Sequence, residues 1–379
     1  MKTNLIRHYD NKLESSFETG KVVIIYGPRR IGKTTLLKSF VQKFKGKTFF
    51  STGEDSSLKN IFAKQSIKEF KTFFEDYDLV IIDEAQQIPK VGLGLKIIAD
   101  HLPKLKIVAT GSASFDLSNK IGEPLTGRSN ILLMYPLSIY ELSKQYGKFE
   151  TKQSLEERMV FGSYPEIFFQ TSKKRKAQYL SKLRDSYLLR DLLQIENVRY
   201  SDKLFDLLTL IAFQIGNEVS LNELSNSLEI SKQVVERYLY LLEKSFVIIK
   251  VRGFSRNLRK EVSKTHRYYF IDNGVRNSVI NNFNNIELRN DVGQLWENFI
   301  FSERLKTRQY KEILANQYFW RTYDQKEIDL IEEREGNLFG YEFKWSEKKL
   351  PKAPKIFTQT YKNSSYLVVT PNNMWEFLE

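Results

Sequence analysis

The chain has 379 residues, 41% of them hydrophobic and 28% charged, with a formal net charge of +13; that length supports two or three domains with cores of their own. With no cysteine and three histidines, it excludes disulfides, thiolate catalysis and zinc–thiolate sites and argues against a histidine-rich metal centre. No apolar run reaches the ~18 residues of a membrane span, and the polar opening carries no secretory core, so a cytoplasmic protein without a membrane partner is expected; the basic excess attracts polyanions without choosing among nucleic acid, anionic lipid and an acidic partner.

The first predicted strand is Lys21–Tyr26. It runs into Gly27-Pro28-Arg29-Arg30-Ile31-Gly32-Lys33-Thr34-Thr35, followed by Leu36, Leu37, Phe40, Val41 and Phe44 at helical spacing. Strand, G-x-x-x-x-G-K-T loop and helix form the context of an ATP phosphate-binding loop, whose backbone N–H groups curl around phosphate oxygens. Lys33 is expected to reach the β- and γ-phosphates, and Thr34 to hold Mg²⁺. Lys47–Ser51 is a second strand candidate. Asp78–Asp83 is a third, delivering Asp83 and Glu84 to its C-terminal edge. Asp83 is expected to bind Mg²⁺, and Glu84 to act as the base that polarises the attacking water. Lys106–Ser112 follows, where Thr110 or Ser112 could sense the γ-phosphate. Asn130–Met134 completes five strands alternating with helices, the pattern of a parallel sheet in an ASCE-type P-loop ATPase core. Arg128 follows a glycine just before the last of these strands and is a candidate catalytic arginine for its own or a neighbouring subunit, which would make a homo-oligomer.

Beyond Pro136 the pattern is helical. Ser154-Leu155-Glu156-Glu157 reads as a capping box, and a second helix is predicted from Lys173 to about Leu193. This block is expected to be a lid over the nucleotide. Residues 203–250 predict three helices, the last opened by Ser231, with Val235, Leu239, Leu242 and Phe246 inward. Gln233, Arg237, Tyr240 and Lys244 occupy its other side. Two strand candidates follow, Phe246–Val251 and His266–Ile271, joined by a segment containing Arg256, Arg259 and Lys260. Together these suit a winged helix on DNA, the third helix in a groove and the basic wing on phosphates. The competing reading is a winged helix that only packs against its neighbours. Further on, a helix carrying Glu297 precedes strand candidates carrying Asp329 and then Glu342 and Lys344. Glu342 and Lys344, two apart, share a sheet face. Glu297, Asp329 and Glu342 as metal ligands, with Lys344 adjacent, are the requirements of metal-dependent phosphodiester hydrolysis. A hairpin with a surface ion pair is the competing reading.

The ordered segments Gly27–Thr35, Ile82–Gln86, Thr110–Ser112, Leu125–Arg128, Tyr135–Ser138, Gly162-Ser163-Tyr164-Pro165-Glu166, Arg190-Asp191, Tyr269–Gly274, Arg321-Thr322, Glu327–Asp329 and Glu342–Lys344 span nearly the whole chain. In them the sequence resembles AAA+-type ATPases, near the STAND-like archaeal group, with a C-terminal winged helix and a restriction-endonuclease-like domain of unknown function. The resemblance implies an α/β fold: an ATPase core over residues 1–147, a helical lid over 148–201, a winged helix over 202–271 and a PD-(D/E)xK-like domain over 272–379. It implies that Arg128 acts as an arginine finger or sensor and that Pro165 lies near the ATP. Family members often have Gly-Gly-Tyr-Pro where this chain has Ser163. The expected activity is ATP hydrolysis coupled to DNA engagement; the alternative is an ATP-dependent scaffold or signalling switch whose C-terminal part is an inactive partner-binding module. A small-molecule kinase is disfavoured because Glu84 beside Asp83 suits water activation.

Overall fold

In a computed structural model, which describes residues 5–112, 125–189, 201–255, 265–322 and 324–379, the aliphatic runs of the first third become strands of one parallel sheet. They are β1 (Val22–Tyr26), β2 (Thr48–Thr52), β3 (Leu79–Asp83), β4 (Lys106–Gly111) and β5 (Ser129–Leu133), in the order β2-β3-β4-β1-β5. Every residue of β1 and β3 is buried, whereas the edge strands β2 and β5 are partly exposed. Such continuous apolar runs are what a sheet covered on both faces requires. β4 separates the phosphate-loop strand from the acid-pair strand. The helices are α1 (Lys33–Lys43), α2 (Ser56–Lys64), α3 (Ile67–Phe74) and α4 (Val91–His101). Phe62, Phe70 and Phe74 from α2 and α3 pack with Val80, Ile82 and Ile107 in one core, each buried ring contributing about 1.5–3 kcal/mol. Gly94 lets α4 approach them, since a Cβ there would fall 2.4 Å from the Phe62 ring.

The chain divides into two compact units, the first built mainly from residues 1–137 and the second from most of 138–379. The second begins with α5 (Ile139–Tyr146), α6 (Lys148–Gln153), α7 (Leu155–Phe161) and α8 (Lys173–Leu183). Its start at Ser138 differs from the boundary expected after residue 147. The capping box is also elsewhere. Ser138 and Glu141 cap α5 reciprocally, whereas the Ser154 hydroxyl donates to the Thr151 carbonyl at 2.9 Å and caps nothing.

Next come α9 (Ser201–Phe213), β6 (Glu218–Val219), α10 (Leu221–Leu228), α11 (Lys232–Lys244), β7 (Ile248–Gly253), β8 (His266–Phe270) and α12 (Asn273–Val279). The remainder is α13 (Val292–Lys311), β9 (Asn316–Arg321), β10 (Glu327–Arg334), β11 (Asn337–Phe343), α14 (Lys355–Thr360), β12 (Ser364–Val369) and α15 (Met374–Leu378). β6 to β12 form a single seven-stranded sheet, β12-β11-β10-β9-β7-β8-β6. β7 joins the two halves by pairing with β9, Arg252 against Tyr318 and Gly253 against Phe319. The sheet therefore runs through the boundary expected at 271/272.

All seven residues of α12 are buried. Asp272, its N-cap, accepts from the backbone N–H of Ser163 at 2.7 Å and of Val275 at 3.1 Å. Gly162 (φ +69°) is required there, because a Cβ would fall 1.9 Å from the Asp272 carboxylate. The Gly162–Glu166 and Asp272–Gly274 segments, distant in sequence, are thus two halves of one internal lock.

Candidate functional site

The β1–α1 turn has the backbone of a phosphate cradle. Gly27 (φ +152°) packs so tightly against β5's end that a Cβ would lie 2.0 Å from the Met134 carbonyl oxygen, and Arg30 and Gly32 also have positive φ. The buried Lys33 amine donates to the carbonyls of Gly27 (2.8 Å) and Pro28 (2.7 Å). Burial lowers its pKa to about 8, against the raising effect of Glu84 and Asp83. Thr34 Oγ1 donates to Asp83 Oδ2 at 2.6 Å, and Thr110 Oγ1 to Asp83 Oδ1 at 2.5 Å. Thr110 also accepts from the Glu84 N–H at 3.0 Å. Glu84 itself sits at φ +51°, its carboxylate accepting from Gln86 Nε2, which also approaches Ser112 Oγ at 3.4 Å. The structure thus brings together Lys33, Thr34, Asp83, Glu84, Thr110 and Ser112 on three strands' C-terminal ends.

Arg128 stands elsewhere. Its carbonyl accepts from Val22 N–H at 2.9 Å, which puts it at the start of β1 while the phosphate loop follows the end. The five residues of β1 separate them by roughly 15 Å at ~3.3 Å per residue. Its guanidinium pairs with Asp100 at 2.6 Å. Action on its own subunit's nucleotide is therefore excluded by distance. Pro165 opens a short 3-10 turn in the second unit, directly after the Gly162–Ser163 lock.

In the second unit, Asp329 and Glu342 lie on neighbouring strands, one step beyond the Leu330–Tyr341 pair, and Glu342 reaches Lys344 at 2.8 Å. Glu297 of α13 accepts from the Tyr269 hydroxyl at 2.8 Å. The centre of the group is already filled. Arg267, 3% exposed, extends from β8 to within 2.7 Å of Glu327, 3.5 Å of Asp329 and 3.9 Å of Glu297. The second Asp329 oxygen accepts from Phe343 N–H at 2.9 Å. Burial, reinforced by the Asp329 charge, raises Glu297 to about 8 and Glu342 to about 7. Burial likewise raises Asp329. One Glu342 oxygen is buried without a hydrogen-bond partner among the described residues. Among the described residues, no group of three or more His, Cys, Asp or Glu is placed to hold a metal ion. The metal shell expected from Glu297, Asp329 and Glu342 is thus not assembled: an internal guanidinium supplies the positive charge that a divalent ion would bring.

On α11, Val235, Leu239 and Leu242 face inward as expected, joined by Tyr238 and Leu241, while Phe246 is only partly buried. Gln233, Arg237 and Tyr240 are exposed. Arg256, Arg259 and Lys260, like Arg190 and Asp191, lie outside the described residues.

Residues 19–143 match the family described as an AAA domain. The first unit carries a P-loop ATPase domain of the AAA type. Residues 152–286 and 292–377 match two domains of unknown function, DUF8612 and DUF4143. An uncharacterized protein of Mycobacterium tuberculosis is 24% identical over 88% of this chain and 72% of its own length. Another of Methanocaldococcus jannaschii is 27% identical over 79% of this chain and 70% of its own, and one of Haemophilus influenzae 25% identical over 86% and 82%. Among solved structures, the Thermotoga maritima RuvB Holliday junction branch migration motor overlaps 60% of this chain and 81% of its own, at 19% identity and a TM-score of 0.28. Domain III of the Thermotoga maritima replication initiation protein DnaA overlaps 60% and 93%, at 19% identity and a TM-score of 0.30. Among the described residues no helix is long and apolar enough to cross a membrane.

The AAA domain also uses a residue that pattern reasoning passed over. Arg7, 6% exposed, donates to the Ile31 carbonyl inside the phosphate loop and to the Tyr135 carbonyl at 2.6 Å. It clamps the loop from an N-terminal segment that carries no motif. Gln86 stands beside the acid pair, three residues past the end of β3, and that proximity was the available signal.

Proposed function

We propose that this protein is a cytoplasmic Mg²⁺-dependent ATP hydrolase whose nucleotide state governs engagement of DNA by its second unit. The observation that carries the first half is the Thr34–Asp83 contact at 2.6 Å beside Lys33 and Glu84. Thr34 and Asp83 offer the hard oxygen donors that suit Mg²⁺, and the cradle has no room for a Cβ at Gly27. When bound, Mg²⁺ would offset phosphate charge. Lys33 would exchange its two carbonyl contacts for phosphate oxygens. Glu84 would take a proton from the attacking water, with Gln86 orienting it. Thr110, bonded to both Asp83 and the Glu84 backbone, would transmit the γ-phosphate's presence to the acid pair. Arg128 fits only a role toward a neighbouring copy, so turnover should rise with protein concentration; Arg128→Ala turning over normally at every concentration would make it a surface residue.

The order helix, short strand, two helices and hairpin within residues 202–271 supports a winged-helix reading, with Gln233 and Arg237 toward the duplex and the basic segment of Arg256, Arg259 and Lys260 toward phosphates. Phosphate release measured with and without double- and single-stranded DNA tests the coupling. Stimulation by either DNA is expected. Equal rates, together with no salt-sensitive DNA binding, would leave the second reading: an ATP-driven switch whose C-terminal part binds a partner without cutting. Arg267 among the carboxylates favours that non-cutting role for the C-terminal part in either case.

A further inference from the structure

Helices α5 to α8 of the second unit enclose a cleft of ≈ 220 Å³, walled on its apolar side by Leu142 and Tyr146. Its floor holds Arg158, only 2% exposed. Two of the three guanidinium nitrogens, Nε and Nη1, have no hydrogen-bond partner among the described residues. The third lies 3.1 Å from Glu157, and the Phe168 ring stacks 4.2 Å from the guanidinium carbon. Burial lowers the Arg158 pKa, opposed chiefly by Glu157. Lys176, also lining the cleft, binds the other oxygen of Glu157. Burial alone would raise Glu157, but Lys176 and Arg158 outweigh it and hold the carboxylate below its usual range. Asp272 is close enough to Arg158 to be felt, but its own oxygens are taken by Ser163 and Val275.

A guanidinium only donates, and buried donors are normally paired. The cleft therefore suits a ligand that supplies an acceptor. The charge count selects among acceptors. Two cations, Arg158 and Lys176, face one carboxylate engaged by both, and the exposed Glu150 is a second acid on the lining. At most one positive charge is left over. That matches a monoanion and disfavours a dianionic phosphate. We propose that this cleft binds a small monocarboxylate, anchored by Arg158 and seated against Leu142 and Tyr146. A planar carboxylate meets guanidinium donors by charge-assisted bonds that a neutral amide forms more weakly.

The test uses the full chain and sodium propionate, followed by calorimetric titration and thermal melting at matched ionic strength. Propionamide and inorganic phosphate are the two controls. Saturable propionate binding is expected, with propionamide about tenfold weaker and phosphate showing no saturation. Lys176→Gln, at the edge of the cleft, should weaken propionate by roughly three- to tenfold, and Arg158→Gln should abolish binding. Because Arg158→Gln removes a buried charge and can fail to fold, Lys176→Gln decides alone in that event. The proposal is overturned if propionate acts no differently from sodium chloride or propionamide. It is equally overturned if phosphate saturates in preference, or if Lys176→Gln binds propionate with unchanged affinity.

Discussion

Asp83 and Asp329 are both buried aspartates on buried strands, yet their surroundings are opposite in kind. The Asp83 oxygens accept from two hydroxyls, Thr34 and Thr110. Hydroxyls orient the carboxylate but bring no charge of their own, which leaves it able to hold a cation as well as to attract the nearby Lys33. Asp329 faces a guanidinium and a backbone N–H, so its charge and its lone pairs are already spoken for. The same residue type at the same kind of position is open in one unit and closed in the other. The neighbouring donors decide which.

Four substitutions would break or sharpen this contrast. Glu84→Gln should retain ATP binding and lose about 10²–10⁴ in turnover; unchanged phosphate release would remove Glu84 from the chemistry. Arg267→Met should cost about 3–5 kcal/mol by stranding buried carboxylates, read from urea unfolding at pH 8. The loss should shrink at pH 5, where Glu297, raised to about 8, is protonated; an equal loss at both pH values would assign Arg267's contribution to its packing on Phe319, 4.7 Å away. Glu342→Gln tests the sign from the other side. A carboxyl raised to about 7 adds stability that is fully present below its unfolded pKa and is lost as pH rises through about 7. The variant, which cannot ionise, should therefore gain on the parent between pH 5 and pH 8, by roughly 1–3 kcal/mol; a gain that shrinks with rising pH would reverse the assignment. Smallest, Arg237→Ala should shallow the salt dependence of DNA binding by up to ~0.9 log unit if it meets one phosphate. An unaltered slope would take α11 out of the interface.

The AAA core was legible because its information is local. Strand, loop and helix follow one another within Lys21–Phe44, and β3 announces itself by four aliphatics before an acid pair. Glu297, Asp329, Glu342 and Lys344 were likewise picked out, and they do share one neighbourhood. What could not be read was Arg267. Its partners lie 30 and 62 positions onward, from 267 to 297 and to 329, and among the chain's 59 lysines and arginines nothing local marks the one that turns inward. Arg7 escaped for the same reason. The Ser154 capping box failed because a serine hydroxyl can bond backward to a carbonyl as readily as forward to an N–H.

The seven-stranded sheet has a practical consequence for anyone who would cut this chain at residue 272 to study its last hundred residues. β9 would lose β7 and present an unpaired edge, a template for self-association. Arg267 and Tyr269 would stay behind on the discarded piece, leaving Glu297 and Asp329 without the groups that hold them. A fragment so made could bind metal ions or aggregate for reasons that belong to the excision, and neither behaviour would describe the intact protein.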